Sequence, residues 1–391
     1  MEKSEESPLI AHVIYQLGIG GLENGLVNLI NQTPKTRYRH AIICLKGATD
    51  FKERINRDDV EIYELHKREG NDFSVFIRLY KLLKQLKPAV VHTRNLTAIE
   101  CQLPAFLAGI KCRVHGEHGW DSFDPDGNNR KYQLLRRAFR PLVQRYIPLS
   151  AHLESYLKDK IGVSEGKIRR ICNGVDTTKF HPLEESDGEP EPESYPFHDN
   201  RLFVIGTVGR MHGVKDQITL VKAFINLLEK RPDQRDRLRL ALIGDGPLRE
   251  EAIALLTSTG NEALAWLPGE RDDIDLILRR LDLFVLPSKA EGISNTILEA
   301  MASGLPVIAT NTGGNPDLVV SGKTGMIVPC ENPDEMASVL ALYVDASQLA
   351  KEQGEQGLAR VLAQFSLDKM VENYLGLYDE LLKNKIKKET V

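Results

Sequence analysis

The sequence predicts an α/β protein made of two doubly wound, Rossmann-like domains, on the basis of three observations. The chain has 391 residues, which at roughly 150 residues per domain corresponds to two or three domains. Short apolar runs rich in Val, Ile and Leu recur along it without strict alternation, as is typical of parallel strands covered by helices on both faces. Longer amphipathic stretches separate these runs, so strand, helix and strand alternate through both halves.

Each half of the chain supplies six predicted strands. In the first half they are His12–Leu17, Ala41–Leu45, Val60–Leu65, Ala89–Thr93, Cys112–His115 and Tyr146–Leu149. In the second half they are Leu202–Val208, Arg239–Ile243, Ala263–Leu267, Leu283–Leu286, Pro306–Thr310 and Gly325–Val328. Helices are expected between the strands, for example over Ser74–Leu86 and Ile218–Glu229.

An acidic segment separates the two halves. Residues 183–200 carry seven acidic residues and three prolines but no Lys or Arg, and this composition disfavours both helix and strand. The segment is consistent with a solvated surface loop or with an interdomain hinge. We expect a hinge over 184–200, because two complete α/β patterns lie on either side of it, in domains 1–183 and 201–366.

Composition and charge argue against several classes of protein. A hydrophobic fraction of 42% and a charged fraction of 27% exclude a disordered chain. A formal net charge of −4 argues against a dedicated nucleic-acid-binding protein. The five cysteines include no C-x-x-C pair, which argues against disulfides and a cysteine zinc site. No apolar run approaches the ~18 residues of a membrane span, and the N-terminus is too polar for a signal peptide, so a cytoplasmic protein is expected.

The stretch from Leu283 to Gly304 is the most informative part of the sequence. A buried strand is followed by a loop and then by a helix, which Ser294 is expected to cap and Gly304 to end. The amino end of such a helix presents free N–H groups and a positive dipole, which suit a phosphate. Glu291 lies in the loop and Glu299 about one turn into the helix. Each could be an ordinary solvated residue, but together in this context they predict a functional pair.

The spacing Glu291-x7-Glu299, within P-S-x-x-E-G-x-S-x-x-x-L-E-A-M-A-x-G-x-P-V-I, resembles the signature of family-four retaining glycosyltransferases, which use nucleotide-sugars and have the GT-B fold. Further similar motifs follow in order: G-I-G-G-L-E at 18–23, N-G-V-D at 173–176, V-G-R at 208–210 with Lys215, G-D-G-P at 244–247 and G-G at 313–314. The resemblance implies two domains facing across a cleft, the first on the acceptor side and the second binding the donor. It also implies that the last helix, about Leu367–Lys383 within 367–391, returns to the first domain.

Such a reaction leaves a nucleoside diphosphate whose negative charge must be stabilised. The sequence offers no D-x-D cluster that could hold a magnesium ion between carboxylates and phosphates. Asp272 and Asp273, with Asp275 following, stand at a predicted helix start, where capping explains them. No metal or other cofactor is therefore expected, and the charge must come from the protein. Arg210 follows a strand of the second half and Lys215 lies five residues further on, where an open α/β sheet binds ligands. The resemblance implies that both bind the diphosphate, Arg210 as a fork and Lys215 as a point charge.

The loop containing Gly20 and Gly21 follows the first strand. It is not a dinucleotide-binding fingerprint, because Glu23 occupies the place of the third glycine. It could be a plain tight turn, or a flat backbone surface that a donor diphosphate can approach closely. On the second interpretation the active site lies between the domains. Glu23 is a candidate acceptor or sugar contact.

The resemblance implies further roles in the site. His118, in a polar loop after the fifth strand, would contact the donor sugar by its side chain or backbone, and Asp121 is a candidate sugar or acceptor contact. Glu299 would accept hydrogen bonds from the ribose hydroxyls, and Glu291 would bind the transferred sugar. The catalytic candidates are His118, Arg210, Lys215 and Glu291. The donor-binding candidates are Gly20, Gly21, Arg210, Lys215, Gly269, Arg271, Glu291, Gly292, Ile293, Ser294, Asn295 and Glu299, with the backbone around Gly269 and Arg271 holding the base.

A basic stretch, Arg130–Arg145, carries six basic residues and no acidic ones. It is consistent with an amphipathic helix that has a solvated basic face, or with a seat for anionic lipid beside a polyprenyl-linked acceptor. The second interpretation predicts that the protein co-sediments with anionic vesicles. It also predicts that this binding is lost when Arg136, Arg137 and Arg140 are replaced by Ser.

We expect a cytoplasmic, metal-independent, retaining hexosyltransferase, with possible peripheral contact at the inner face of the membrane. Its partners would be a UDP- or GDP-linked sugar and a glycan or polyprenyl-linked acceptor, in exopolysaccharide or cell-surface polysaccharide synthesis. The resemblance is greatest to the sugar transferases of bacterial exopolysaccharide clusters. The alternatives are a nucleotide-sugar epimerase, which needs no acceptor, and a non-catalytic partner subunit of the same fold. The intact set of Arg210, Lys215, Glu291 and Glu299 argues against the latter.

Overall fold

In the computed structural model, which describes residues 7–119, 124, 127–183 and 190–389, the chain forms two units. The first comprises Met1–Gly174 and Leu367–Val391, and the second comprises Val175–Ser366. Each unit contains one parallel sheet, as the unalternated apolar runs predict, and the strands pair in the order expected of a doubly wound fold. The α/β fold class is therefore confirmed.

The described residues of the first unit form a six-stranded sheet in the order β3-β2-β1-β4-β5-β6. Its strands are β1 (Leu9–Ile14), β2 (Arg39–Cys44), β3 (Glu61–Glu64), β4 (Val90–Arg94), β5 (Cys112–Glu117) and β6 (Arg145–Pro148). Its helices are α1 (Gly21–Gln32), α2 (Ser74–Leu86), α3 (Leu96–Ile99), α4 (Gln102–Leu107), α5 (Arg130–Phe139), α6 (Ala151–Ser155), a π-helix (Tyr156–Ile161), the 3₁₀ turns Asp50–Arg54, Arg140–Leu142 and Glu165–Lys167, and, from the end of the chain, α14 (Leu367–Glu389).

The described residues of the second unit form a sheet of six strands in the order β12-β11-β10-β7-β8-β9. The strands are β7 (Phe203–Val208), β8 (Leu238–Ile243), β9 (Ala265–Gly269), β10 (Leu283–Leu286), β11 (Val307–Thr310) and β12 (Gly325–Val328). The helices are α7 (Gln217–Lys230), α8 (Arg249–Ser258), α9 (Ile274–Leu278), α10 (Asn295–Ala302), α11 (Asn315–Leu318), α12 (Pro333–Asp345), α13 (Ser347–Gln364) and the 3₁₀ turns Pro232–Gln234 and Glu262–Leu264.

The first strand lies earlier than the sequence predicts. We expected His12–Leu17, but β1 runs from Leu9 to Ile14, because it pairs in parallel with both β2 and β4 over that range. Leu17 is fully buried, and it reaches the sheet only through an isolated bridge to Ala48. Its burial explains why the apolar pattern continues beyond the end of the strand.

Each sheet has one switch point, a pair of neighbouring strands from which the chain crosses over in opposite directions. These places are between β1 and β4 in the first unit and between β7 and β10 in the second. Ligands of open α/β sheets bind beyond the carboxyl ends of the strands at such switch points. The fold therefore assigns one candidate ligand-binding edge to each unit.

The division of the chain falls earlier than we expected from the sequence. The second unit begins at Val175, eight residues before the end of the expected first domain at 183, and Val175 forms a parallel bridge with Ser366. Of the expected hinge, residues 190–200 belong to the second unit, where the Tyr195 hydroxyl donates to the carbonyl of Arg280 at 2.9 Å. Residues 184–189 lie outside the described residues.

The last helix belongs to the first unit. Apolar side chains of α14 pack in the same cluster as Ile10 and Val114 of the sheet, and α14 also contacts α1. In the part of the chain that the structure describes, no helix is long and apolar enough to cross a membrane.

Candidate functional site

The switch point of the second unit brings together the two loops that the sequence singled out. Residues 209–216 follow β7, and residues 287–294 follow β10 and lead into α10. The loops are joined directly, because the backbone N–H of Lys289 donates to the carbonyl of Val214 at 2.8 Å. The position that the fold assigns to a ligand is therefore the position of the predicted donor site.

Lys215 and Glu291 form an ion pair at this place. The Nζ of Lys215 lies 2.5 Å from Oε1 of Glu291, and the side chain of Lys215 is 29% exposed whereas that of Glu291 is 8% exposed. We had expected Lys215 to be a point charge awaiting a phosphate. The structure instead pairs it with the carboxylate predicted to bind the sugar. The pair ties the two loops together while leaving the ammonium group partly accessible.

Arg210 is exposed on a loop that is firmly held by its backbone. The side chain of Gln217 donates to the carbonyl of Arg210 at 3.1 Å, and the N–H of Met211 donates to the carbonyl of Asp245 at 2.8 Å. Gly244 has φ of +133°, and a Cβ there would lie 2.1 Å from the carbonyl oxygen of Gly209. This close approach explains the first glycine of the G-D-G-P motif, which supports the Arg210 loop. Among the described residues the guanidinium of Arg210 has no hydrogen-bond partner.

Helix α10 begins as the sequence predicts. Ser294 is the N-cap, and its hydroxyl accepts a hydrogen bond from the N–H of Ile297 at 3.4 Å. The helix ends at Ala302, and Gly304 has φ of +78°, a left-handed conformation that favours glycine. The predicted start and stop signals are both confirmed.

Glu299 lies on α10 in an environment that disfavours its charge. Burial raises the pKa of this carboxyl to about 7, and the positive charge of Lys179 opposes the shift. Within the described parts of the chain, no residue donates a hydrogen bond to the Glu299 carboxylate. A group held in this way is available to accept hydrogen bonds from a ligand's hydroxyl groups.

The structure gives the diglycine at 313–314 a role that the sequence did not. Gly313 has φ of +51°, and a Cβ there would lie 1.8 Å from the carbonyl oxygen of Glu291. The N–H of Gly314 donates to the carbonyl of Gly292 at 2.9 Å, and the hydroxyl of Thr312 donates to the carbonyl of Lys289 at 2.9 Å. The segment 312–314 therefore supports the Glu291 loop through its backbone. The two adjacent glycines were the sequence signal for this close contact, but the sequence did not indicate which segment of the chain lies against them.

The segment expected to hold the base lies at the end of β9, and its contact with a base stays a prediction. Gly269 has φ of +83°, and its carbonyl accepts a hydrogen bond from the N–H of Gly244 at 2.9 Å. Arg271 is not free, because its Nε lies 2.8 Å from Oδ1 of Asp273. Asp273 stands at the N-cap position of α9 without a side-chain capping bond. The predicted capping role of this aspartate is thus wrong, since its carboxylate is bound by the arginine two residues earlier.

In the first unit, the loop at Gly20 and Gly21 leads directly into a helix. Helix α1 begins at Gly21, and Gly20 is extended with φ of −171°. A Cβ on Gly20 would lie 2.3 Å from Oε2 of Glu23, so the carboxylate turns back over the start of the helix. Burial raises the pKa of Glu23, and the Arg94 charge opposes this.

His118 has a backbone anchor and an unpaired ring. Its N–H donates to the side-chain oxygen of Asn95 at 2.8 Å, but neither buried ring nitrogen has a hydrogen-bond partner among the described residues. Burial, followed by the charge of Arg94, lowers the pKa of the ring well below its usual range, so the imidazole is neutral. The expected contact with a sugar stays a prediction. Asp121 lies outside the described residues.

The sequence did not indicate a buried polar network on β1, β2 and β4 of the first sheet. Arg94, which is 2% exposed, donates from Nη1 to Nδ1 of His12 at 3.0 Å, and Nε2 of His12 lies 2.9 Å from Nδ1 of His40. Nδ1 of His92 lies 2.8 Å from the hydroxyl of Tyr378 on α14. These bonds tie the last helix to the switch point of the first sheet.

The basic stretch Arg130–Arg145 forms a solvated basic face only in part. Arg130, Lys131 and Arg137 are exposed. Arg136 is buried, and its Nε lies 2.7 Å from Oε1 of Glu117. Burial opposes ionisation of Glu117, but the charge of Arg136, together with its hydrogen bond and with the hydrogen bond and charge of His115, lowers the pKa of Glu117 to about 2. Arg137 and Arg140 donate to main-chain carbonyls at the end of the π-helix. Arg136 is therefore not available to lipid, and serine at this position would test folding instead. Contact of the rest of the stretch with anionic lipid stays a prediction.

Comparisons with known proteins define the class. A family model described as Glycosyltransferase Family 4 matches residues 19–179, and one described as Glycosyl transferases group 1 matches residues 203–345. Together they span most of both units. The chain therefore belongs to the glycosyltransferases that these two models describe, and its fold is the GT-B fold. The enzyme class predicted from the Glu291 and Glu299 motif is confirmed.

Individual proteins agree with this assignment. The UDP-Gal:α-D-GlcNAc-diphosphoundecaprenol α-1,3-galactosyltransferase of Escherichia coli is 28% identical, over 98% of this chain and 100% of its own length. The putative glycosyltransferase EpsF of Bacillus subtilis is 28% identical over 78% of this chain and 79% of its own. A solved glycosyltransferase from Rickettsia africae superposes with a TM-score of 0.79 at 21% identity, covering 97% of this chain and 99% of that one. HepE of Anabaena, solved with UDP and glucose, gives 0.76 at 17%, covering 95% and 100%.

The pKa of Glu299 gives a prediction about the pH dependence of donor binding. A carboxylate that accepts hydrogen bonds from ribose must be ionised, so a bound nucleotide-sugar would favour the deprotonated form. Donor affinity is therefore expected to rise between about pH 6 and about pH 8 and to be accompanied by proton release. Calorimetric titrations in buffers of different ionisation enthalpy measure this release. The Glu299→Gln variant should show neither effect, and a variant that keeps both would remove Glu299 from the ribose site.

Proposed function

We propose that the protein transfers a sugar, with retention of its anomeric configuration, from a UDP- or GDP-linked donor to a lipid-linked or glycan acceptor. The reaction would serve exopolysaccharide or cell-surface polysaccharide synthesis. The observation that carries this proposal is the Lys215–Glu291 ion pair at the switch point of the second unit. The pair joins a cation suited to the diphosphate to a carboxylate suited to the transferred sugar.

The charge on the leaving group determines the roles that we propose. Breaking the sugar–phosphate bond develops negative charge on the nucleoside diphosphate, and fixed donors stabilise that charge most when they need not reorganise. Arg210 would bind the diphosphate with its forked guanidinium, and Lys215 would turn from Glu291 toward it. The amino end of α10 would add its free N–H groups and dipole.

Two carboxylates would then hold the rest of the donor. Glu291, released from Lys215, would accept a hydrogen bond from a hydroxyl of the transferred sugar. Glu299 would accept hydrogen bonds from the ribose hydroxyls, and the backbone around Gly269 would contact the base. Gly20, Gly21 and His118 of the first unit stay candidates for the diphosphate and sugar.

We propose that the acceptor attacks from the face that the diphosphate leaves. The acceptor oxygen forms the new glycosidic bond as the bond from the anomeric carbon to the diphosphate oxygen breaks. The acceptor's proton passes to that leaving oxygen, so no separate base is required. This route yields retention with Arg210 and Lys215 as the charged groups, and we propose that it needs no metal.

The names of similar proteins support the proposed classes of donor and acceptor. HepE was solved with UDP and glucose, and the E. coli relative is named for UDP-galactose and a diphosphoundecaprenol acceptor. We propose the same chemical classes here. A protein that uses such an acceptor would work at the inner face of the membrane.

Product analysis tests this function and separates the alternatives. The protein is incubated with nucleotide-sugars and a diphosphopolyprenyl-linked sugar, and the new linkage is identified by NMR. We expect nucleoside diphosphate and an acceptor product with the donor's anomeric configuration. An altered nucleotide-sugar formed without acceptor would indicate an epimerase. The absence of any turnover or nucleotide binding would indicate a non-catalytic subunit.

A further inference from the structure

Asn95, the residue that follows β4, has a strained backbone. Its φ is +58° and its ψ is 171°, a conformation at the edge of a region that is almost restricted to glycine. Lys87 and Asp216 also have positive φ, but their ψ values of 51° and 43° place them in the less costly left-handed helical region. A side chain persists in such a strained conformation only where surrounding contacts stabilise it, and residues of this kind cluster at functional sites.

Two hydrogen bonds attach Asn95 to the end of the neighbouring strand β5. Its backbone N–H donates to the carbonyl of Gly116 at 2.8 Å, and its Oδ1 accepts from the backbone N–H of His118 at 2.8 Å. Because a backbone N–H can only donate, the oxygen of the side-chain amide must face His118. The strained conformation of Asn95 therefore accompanies a side-chain contact that fixes the main chain of His118.

His118 stands where the fold assigns a ligand to the first unit. It follows β5 at the carboxyl edge of the sheet, beside the switch point between β1 and β4. Burial and then the charge of Arg94 lower the pKa of its ring, so the imidazole is neutral and has one donor and one acceptor. Neither ring nitrogen has a partner in the described parts of the chain. Buried polar groups are seldom left in this state, so the ring has hydrogen-bonding capacity available for a ligand.

We propose that Asn95 is a positioning residue, which holds His118 where it contacts the transferred sugar. This role rests on the proposed function, in which His118 is a candidate contact for that sugar. Asn95 acts through His118 and need not touch the sugar itself. The bond to Oδ1 fixes the main chain of His118 before the donor arrives, so the residue does not have to be ordered during the reaction. Groups fixed in advance stabilise a transition state more effectively than groups that must reorganise.

Three variants of Asn95 separate positioning from stability. Alanine removes the side-chain oxygen and keeps the strain, glycine removes both, and aspartate keeps an acceptor for the N–H of His118. We expect N95G to melt at a higher temperature than N95A, because glycine adopts positive φ without strain. Both should nevertheless lose about 10- to 100-fold in kcat, as a misplaced contact does, and N95D should keep most of the wild-type rate. Thermal melting and steady-state kinetics with the donor varied measure these effects.

Hydrogen exchange tests the contact without turnover. Exchange at the His118 N–H should be faster in N95A and N95G than in the wild type and should stay slow in N95D, which still has an acceptor for it. Thermal shifts with UDP and GDP should be the same in all three variants as in the wild type, because Arg210, Glu299 and the backbone around Gly269, the proposed nucleotide contacts, belong to the second unit.

Lys87→Gly is the matched control. Lys87 is an exposed residue of the first unit with φ of +47°, so glycine there also relieves a positive φ, and we expect a higher melting temperature with unchanged kcat. Wild-type activity in N95A, or activity in N95G that recovers together with its stability, would overturn the positioning role and leave the proposed function standing. Wild-type protein that binds UDP or GDP but transfers no sugar would overturn the proposed function and this role with it.

Discussion

Replacing Lys215 by alanine is expected to lower kcat/KM by about 30- to 1000-fold. Removing a fixed donor from a developing anion costs about 2–4 kcal/mol of transition-state stabilisation, and each 1.4 kcal/mol corresponds to about tenfold in rate. The loss should fall mainly on kcat, because the interaction strengthens as the diphosphate departs. Steady-state kinetics with the donor varied at saturating acceptor measures it. Lys222→Ala, which removes an exposed lysine from α7, serves as the control and should be close to wild type.

The ion pair requires a second comparison. Because Lys215 contacts Glu291, its removal also leaves a little-exposed carboxylate without a counter-charge, and this alone could lower activity. The variant K215A/E291Q separates the two effects when compared with E291Q. If Lys215 acts on the diphosphate, its loss remains large in the E291Q background. If removing Lys215 lowers activity only when Glu291 is present, Lys215 acts only as the partner of that carboxylate.

The second large effect is expected at Gly313, far along the chain from either charged residue. In Gly313→Ala the new Cβ would lie 1.8 Å from the carbonyl oxygen of Glu291, so the Glu291 loop must move. Besides the cost of a left-handed alanine, we expect a further loss of about 1–3 kcal/mol in the free energy of unfolding. Since the displaced loop carries Glu291, kcat should fall at least about tenfold. Thermal melting and steady-state kinetics measure the two effects.

Gly322→Ala is the matched control for this substitution. Gly322 has φ of +77°, and nothing lies within 4 Å of the Cβ position. It therefore carries the same kind of backbone cost, about 1–2 kcal/mol, without the collision. Equal stability and activity of the two variants would show that the approach of 313–314 to Glu291 is unimportant.

The fold was predictable because its strands are buried on both faces. Val285 and Leu286 of β10, for example, are neighbours in sequence that point to opposite faces and are both buried, so the run is apolar throughout. The predicted β10 and β12 match the observed ranges. The start of β1 was less predictable, since it depends on register with β2 and β4, which no local pattern encodes.

The candidate site was predictable where backbone signals are local. Ser294 and Gly304 mark the ends of α10 because capping depends on residues within one turn. Contacts between distant segments were not predictable. The burial of Arg136 depends on Glu117, nineteen residues away on another element, and the role of Gly313 depends on a carbonyl of the Glu291 loop. The burial of one arginine of the basic stretch was therefore not predicted, and the diglycine was recognised without its structural role.

We propose that Arg210, Lys215 and the amino end of α10 stabilise the leaving diphosphate without a metal ion. The most direct measurement is the initial rate of sugar transfer by metal-stripped protein in excess EDTA, compared with the rate in added magnesium. We expect the wild type to keep most of its transfer rate in EDTA, and we expect added magnesium not to restore the rate that Lys215→Ala has lost. Complete loss of transfer in EDTA, recovered when magnesium is added back, would contradict this proposal.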